Sequence, residues 1–111
     1  MSVIEIEGKK IELDEEGYLV HSGDWNEKVA CALADKEGVS KTCPLSADKI
    51  EILKFMREYF KKHNAFPITR AICKNVNQPA QCIPEKFLEP IKAWKIAGLP
   101  RPTDEVLSGL S

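Results

Sequence analysis

The feature that most limits the possible folds is a change in the spacing of apolar residues near residue 24. Before it, apolar and acidic residues alternate, with Ile4 and Ile6 separated by Glu5. After it, apolar residues recur at every third or fourth position, most clearly in "IEILKFMREYF". Alternation predicts strands, and the longer spacing predicts helices. The sequence therefore predicts an α+β fold, in which a small N-terminal antiparallel β-hairpin unit packs on a bundle of four to five helices.

The chain is predicted to form a single domain, because 111 residues are too few for two good cores. We divide it into a β-hairpin region (1–24), a helical core (25–98) and a C-terminal arm (99–111). No apolar stretch approaches the roughly 20 residues of a membrane helix. The opening "MSVIEIEGKK" does not have the pattern of a secretory signal. A cytoplasmic protein that does not associate with membranes is therefore expected.

Two predicted helices in the middle of the chain form a helix-turn-helix-like pair. The first, "ADKIEILKFMREYFKKHN", is expected to begin after the N-cap Ser46. The second reads "ITRAICKNV", and Pro67 is well placed for its first turn. Asp24 is the predicted N-cap of an earlier helix, "WNEKVACALADKEG". A later helix, "EKFLEPIKAWKIAG", should bend or divide at Pro90, because proline has no N–H to donate.

Basic residues cluster on the helix-turn-helix-like pair. Lys54, Arg57 and Lys61 recur along one edge of the longest helix, where solvated side chains are expected. Four cations could meet phosphate groups, and we call them the basic face: Lys61, Lys62, Arg70 and Lys74. The alternatives are a DNA-binding regulator and a plain solvated surface. The second is favoured, because the second helix has its Asn and Gln residues at its far end and the pI is about 6.1.

The four cysteines, at positions 31, 43, 73 and 82, lack the C-x-x-C spacing of zinc or redox sites. Cys31 lies in "VACALA" and is predicted to be a buried structural thiol. Cys73 and Cys82 flank the polar loop "KNVNQPAQ". For these two, a local disulfide and free thiols are both open, although disulfides are rare in the cytosol.

The common catalytic patterns are missing from the sequence. His21 and His63 are the two histidines, and neither has the spacing of a metal ligand. There is no glycine-rich phosphate loop, no G-x-S-x-G and no H-E-x-x-H. We therefore expect no self-contained active site, no metal and no cofactor, and we favour a binding or carrier role over an enzyme.

The segment "KIAGLPRPT" is the most distinctive part of the chain. Gly98 allows the left-handed conformation that ends a helix, and Pro100 and Pro102 fix their own φ angles. The arm after Gly98 is therefore predicted to be semi-rigid and poor at forming regular structure. It either reaches into a cleft of another protein or is a disordered end.

Four stretches spread along the chain carry a family resemblance: "EIEGKKIELDEEGYL", "DWNEKVACALADKEG", "IEILKFMREYFKKHNAFPITR" and "KIAGLPRPT". On these motifs the chain resembles the DsrC/TusE family of small sulfur-relay proteins. The resemblance implies a small α+β domain with a helix-turn-helix-like core and a mobile C-terminal arm. It also implies a monomer when free, which docks on a sulfite reductase or a sulfurtransferase-type complex.

The resemblance implies that sulfur is carried by cysteine thiolates of the arm. One lies next to last in the family's chains, and DsrC proteins have a second just before K-I-A-G-L-P. Here Trp94 stands before Lys95, and the ungapped equivalent of the terminal cysteine is Glu105. No cysteine follows Cys82, and neither an indole nor a carboxylate can form a persulfide.

Two hypotheses follow from these replacements. The favoured one is a non-catalytic binding or regulatory member of the family. The alternative is a sulfur carrier with a relocated thiol, Cys82 or Cys73. For docking on a partner, the resemblance and the charges of the motif point to five residues of the segment: Lys95, Leu99, Pro100, Arg101 and Pro102.

Overall fold

The computed structural model describes residues 2–41, 43–65 and 68–102. Within these ranges the predicted α+β fold is confirmed, with a two-stranded antiparallel sheet followed by a 3-10 turn and five α-helices. The elements are β1 (Ser2–Ile6), β2 (Lys9–Leu13), the 3-10 turn Ser22–Asp24, α1 (Glu27–Lys36), α2 (Ala47–His63), α3 (Thr69–Asn75), α4 (Cys82–Phe87) and α5 (Pro90–Ile96).

The β-hairpin turns at Glu7 and Gly8, which have φ angles of 51° and 83°. Positive φ at both central residues is typical of the tight turn that matches the twist of paired strands. Ile4 faces Ile11 across the hairpin, and Ile11 and Leu13 are almost completely buried. The alternation of the sequence therefore directs one side of β2 into the core.

The first two helices begin at polar N-caps, as the sequence predicts, but one cap is at a different residue. Ser46 caps α2, and its hydroxyl accepts a hydrogen bond from the N–H of Lys49. For α1 the cap is Asn26, which accepts from the N–H of Val29 at 2.9 Å. The prediction of Asp24 as this cap is wrong, because Asp24 ends the 3-10 turn and pairs with Lys9.

The last predicted helix is divided into α4 and α5, as the position of Pro90 suggests. Leu88 between them has a φ of 69°, and Pro90 occupies the first turn of α5, where its missing N–H has no cost. Helix α4 begins at Cys82, earlier than predicted. The division turns α5 so that it packs against α1, α2 and α4.

The core lies where the hairpin, α1, α2 and α5 meet. Trp94 and Phe87 are its largest fully buried side chains, and no polar or charged residue is buried in the described ranges. Helices α2 and α3 contact each other, as expected for the helix-turn-helix-like pair. Pro67, the predicted first-turn residue of the second helix, lies outside the described residues. None of the described helices combines the length and apolar character needed to cross a membrane.

Candidate functional site

The end of α5 and the residues that follow form the candidate site, and we call residues 96–102 the arm root. The N–H of Gly98 donates to the carbonyl of Lys95, and that of Leu99 donates to Trp94. Gly98 has a φ of 72°, so the helix ends in a left-handed turn with the hydrogen bonds of a Schellman motif. This turn sends the chain back across the body of the protein.

Two side chains from distant elements hold the carbonyls at the end of α5. The indole N–H of Trp25 donates to Ile96 O at 2.8 Å, and Arg57 Nη1 donates to Ala97 O at 2.9 Å. Arg57 also lies over the Trp25 ring, 4.6 Å from its centroid, and donates through Nη2 to Ser22 O. One guanidinium thus joins α2, the 3-10 turn and the arm root.

Arg57 is partly buried in this position, and burial lowers its pKa from the ordinary value while Glu58 acts in the opposite direction. The predicted solvated edge of α2 is therefore wrong at Arg57, because two backbone carbonyls and an indole replace water around it. Beside it is a pocket of about 370 Å³, lined also by Phe60, Lys61 and Leu99. The pocket lies between α2 and the arm root.

Gly98 is packed so closely that a larger residue does not fit. A Cβ atom at this position would lie 2.6 Å from Trp25 Cδ1 and 3.0 Å from both Arg57 Nη1 and Leu19 Cδ2. Contacts below 3.0 Å require atoms to shift. The glycine therefore serves two purposes, since it allows the positive φ and it lets Trp25 and Arg57 reach the backbone.

Trp94 fixes the next part of the arm root. It is 1% exposed, and its indole N–H donates to Pro100 O at 2.9 Å. Leu99 is 2% exposed and belongs to the core, and Pro102 is buried as well. The first four residues of the predicted arm, 99–102, therefore pack on the body. Pro100 and Arg101 are the exposed residues among them.

The cations of the motif are paired with acidic residues of the body. Lys95 Nζ lies 3.7 Å from Glu37 Oε1 and 5.1 Å from the centroid of the Tyr18 ring. Arg101 Nη2 lies 2.8 Å from Glu16 Oε1. Burial is the largest cause that raises the pKa of Tyr18, and Glu16 adds to it. The docking role of Lys95 and Arg101 stays a prediction.

The basic face lies on the end of α2 and on α3. Lys61 and Lys62 belong to the last turn of α2, and Arg70 and Lys74 belong to α3. All four side chains are exposed. They are accessible to an anionic partner, and the DNA-binding alternative stays a prediction.

The cysteines form two disulfides. Cys73 and Cys82 are joined between α3 and α4, with a Cα–Cα distance of 5.8 Å, and both are 0% exposed. Neither sulfur can meet a donor while these helices stay packed. The prediction of Cys31 as a thiol is wrong, because the loop before α2 brings Cys43 to within 5.7 Å of it, and the two are bonded. No group of metal-ligating side chains occurs in residues 2–41, 43–65 and 68–102.

Comparison with known proteins identifies the family of this fold and arm root. The model of the family described as "DsrC like protein" matches residues 5–106. The chain belongs to the DsrC/TusE family. The resemblance expected from the sequence motifs is therefore confirmed over almost the whole domain.

Members of the DsrC/TusE family with different names are about equally similar to the chain. It is 36% identical to the sulfurtransferase TusE of Photorhabdus laumondii, with 92% of this chain and 96% of that protein covered. It is 34% identical to the gamma subunit of the dissimilatory-type sulfite reductase of Nitratidesulfovibrio vulgaris, with 93% and 97% covered. The oxidised DsrC of Archaeoglobus fulgidus has a similar structure, with a TM-score of 0.76, 36% identity, and 92% and 97% coverage.

Trp25 and Arg57 are the residues of the site that sequence reasoning missed. Trp25 lies 71 residues before its partner Ile96, and Arg57 lies 40 residues before Ala97. Spacing along a helix cannot reveal contacts over such separations. The available signal was a single arginine between two lysines on the helix edge, since arginine is favoured where several acceptors must be met at once.

Proposed function

We propose that this member of the DsrC/TusE family docks on a sulfite reductase or sulfurtransferase-type complex in the cytoplasm and does not carry sulfur on its C-terminal segment. It acts as a binding or regulatory protein rather than an enzyme, and it is a monomer when free. The names of its relatives support the sulfur system as the setting.

The observation that carries this proposal is the position of Trp94. DsrC proteins are expected to have a cysteine just before K-I-A-G-L-P, and this chain has a buried indole there. The indole N–H of Trp94 donates to Pro100 O, so this residue helps to pack the arm root. The second expected cysteine position holds Glu105, which lies outside the described residues.

The alternative function, a sulfur carrier with a relocated thiol, is less well supported than docking. Its thiols, Cys73 and Cys82, are both 0% exposed and bonded to each other. Sulfur transfer requires a thiolate that can approach a donor. A DNA-binding regulator has the exposed basic face in its favour, but no further feature of the described residues supports base recognition.

Docking is tested with dissimilatory sulfite reductase freed of its gamma subunit and, in parallel, with the partner proteins of a TusE sulfurtransferase. Binding of the full chain is measured by biolayer interferometry, with the authentic gamma subunit or TusE as competitor. We expect saturable binding that the competitor reverses. The exposed Arg101 is changed to Glu, and Lys62→Glu on the basic face is the control. Loss of about tenfold in affinity, or ~1.4 kcal/mol, is expected for Arg101→Glu alone.

Sulfur loading is tested by peptide mapping after incubation with a protein persulfide donor, with the gamma subunit of Nitratidesulfovibrio vulgaris loaded in the same tube. We expect added sulfur on the gamma subunit and none on Cys73 or Cys82. Sulfur on either cysteine would instead support the relocated carrier. If neither complex binds the chain, the docking proposal is wrong.

A further inference from the structure

The two disulfides differ in their accessibility. Their Cα–Cα distances are nearly equal, 5.7 Å for Cys31–Cys43 and 5.8 Å for Cys73–Cys82. Cys73 and Cys82 are both fully buried, whereas Cys43 is exposed and Cys31 is 6% exposed. The Cys31–Cys43 pair is therefore the disulfide that a nucleophile from solution can approach, through the exposed residue Cys43.

The Cys31–Cys43 pair also lines a surface pocket of about 400 Å³ between β1, α1 and the loop that follows α1. Lys28, Cys31 and Asp35 lie on one face of α1, at spacings of three and four residues. Lys41 enters from the loop, two residues before Cys43. The disulfide thus lines a cavity large enough for a small reactant, and two lysines line the same cavity.

We propose that the Cys31–Cys43 pair is a sulfur-accepting site at which hydrosulfide is bound as a persulfide of Cys43. The role is separate from docking and does not depend on it. It places sulfur chemistry on α1 and its loop, on a cysteine to which the family resemblance assigns no role.

The reaction is a single thiol–disulfide exchange. The sulfur of hydrosulfide attacks Sγ of Cys43, the exposed residue of the pair, and forms the new S–S bond, while the bond between Cys31 and Cys43 breaks. The electron pair of the broken bond leaves on Cys31 Sγ as a thiolate, and the proton of hydrosulfide stays on the new terminal sulfur. The disulfide is the oxidant, so no other electron acceptor is needed.

The charges of the pocket select a small nucleophile. Lys28 and Lys41 line the pocket together with the disulfide, and a cation near a departing sulfur favours its thiolate form. Three carboxylates, of Glu5, Glu7 and Asp35, line the same pocket, and Glu7 pairs with Lys28. This excess of negative charge disfavours large thiols with several anionic groups. Hydrosulfide carries one charge at most and fits the cavity.

The test uses full-length protein oxidised with diamide and then incubated with sodium sulfide under native conditions. Free thiols and persulfides are alkylated and the peptides are mapped by mass spectrometry. We expect one added sulfur on the peptide with Cys43, an alkylated thiol at Cys31, and an intact Cys73–Cys82 link as the internal control. Cys43→Ser protein should lose the added sulfur completely. Cys31→Ser protein should gain none from sulfide but should accept sulfur from polysulfide at Cys43.

The inference is wrong if the Cys31–Cys43 disulfide does not react with sulfide, or if the added sulfur is found on Cys31 instead of Cys43. It is also wrong if the buried Cys73–Cys82 disulfide opens to the same extent, or if residues 31 and 43 are still free thiols after diamide treatment. Sulfur on the Cys43→Ser protein would overturn it as well. Circular dichroism of both variants shows whether they are folded before the reaction. None of these results depends on whether the chain docks on a sulfite reductase.

Discussion

Replacement of Gly98 by alanine tests whether the arm root is packed as part of the core. Gly98 and Gly38 are a matched pair, because each follows the C-terminus of a helix with a φ near +70°, at 72° and 74°. The N–H groups of both glycines donate to the carbonyl three residues earlier, at 3.0 and 3.1 Å. Their surroundings differ, since a Cβ at Gly38 would meet nothing within 4 Å.

The two substitutions therefore share one cost and differ in another. Placing a non-glycine residue in the left-handed region costs about 1–2 kcal/mol at either site. At Gly98 the new methyl group also lies 2.6 Å from Trp25 Cδ1 and 3.0 Å from Arg57 Nη1. Overpacking of this kind costs about 1–3 kcal/mol. We expect Gly98→Ala to lower the free energy of unfolding by about 2–5 kcal/mol and Gly38→Ala by about 1–2 kcal/mol.

The assay is urea unfolding of both variants and the parent protein, followed by circular dichroism and tryptophan fluorescence with the disulfides intact. Any change in the entropy of the unfolded chain is common to both variants and cancels in the difference. A difference of 1 kcal/mol corresponds to about 4–8 °C in Tm for a domain of this size, so thermal unfolding provides a second measure. Equal destabilisation by the two substitutions would refute the close packing of Trp25 and Arg57 on Gly98.

Four further substitutions, in three tests, probe the contacts around the arm root. Arg57→Lys should destabilise the protein by about 1.5–3 kcal/mol, because a lysine cannot donate to Ala97 O and Ser22 O at the same time. An unchanged midpoint of urea unfolding would contradict this. Tyr18 has a raised pKa in the folded protein, so its contribution to stability is complete below about pH 10 and is lost as the pH rises further. The Tyr18→Phe protein should therefore lose less stability above pH 10 than the parent protein. Urea unfolding of both proteins from pH 8 to 11 measures this difference. Glu37→Ala removes the partly buried partner of Lys95 and should cost about 1 kcal/mol of stability. Glu16→Ala removes the exposed partner of Arg101 and should cost about 0–0.5 kcal/mol. A larger loss in Glu16→Ala than in Glu37→Ala, measured by urea unfolding, would count against this interpretation.

Local patterns in the sequence were sufficient to predict the elements of this fold. The change of period near residue 24 separates the sheet from the helices, Ser46 marks the start of α2, and Pro90 divides the last helix. These signals depend on hydrogen bonds and backbone angles within a few residues, so they can be recognised in the sequence. Asp24 failed as a cap because two polar residues, Asp24 and Asn26, compete for the role, and the 3-10 turn takes the first of them.

The candidate site could be found from its motif but not described from it. "KIAGLPRPT" marks the segment, and the glycine and prolines predict a helix end with a stiff continuation. The sequence did not show that Trp25 and Arg57 hold that helix end, because tertiary packing brings the end of the 3-10 turn and the middle of α2 to α5. The Cys31–Cys43 bond was missed for the same reason, since a loop of unknown path had to bring Cys43 back to α1.

The packing of the arm root limits how a partner can use it. Exposing Leu99 costs about 1.5–3 kcal/mol for its side chain alone, and release of Trp94 from Pro100 O adds the loss of a hydrogen bond. A partner that pulls the segment free must supply this energy from its own contacts, which lowers its apparent affinity by about tenfold for each 1.4 kcal/mol. Pro100 and Arg101 are already exposed and have no such cost. A docking partner should therefore meet these two residues first, and Trp94→Phe, which weakens the hold on Pro100, should not reduce its affinity. A loss of affinity in Trp94→Phe would mean that the partner recognises the arm root in its packed form.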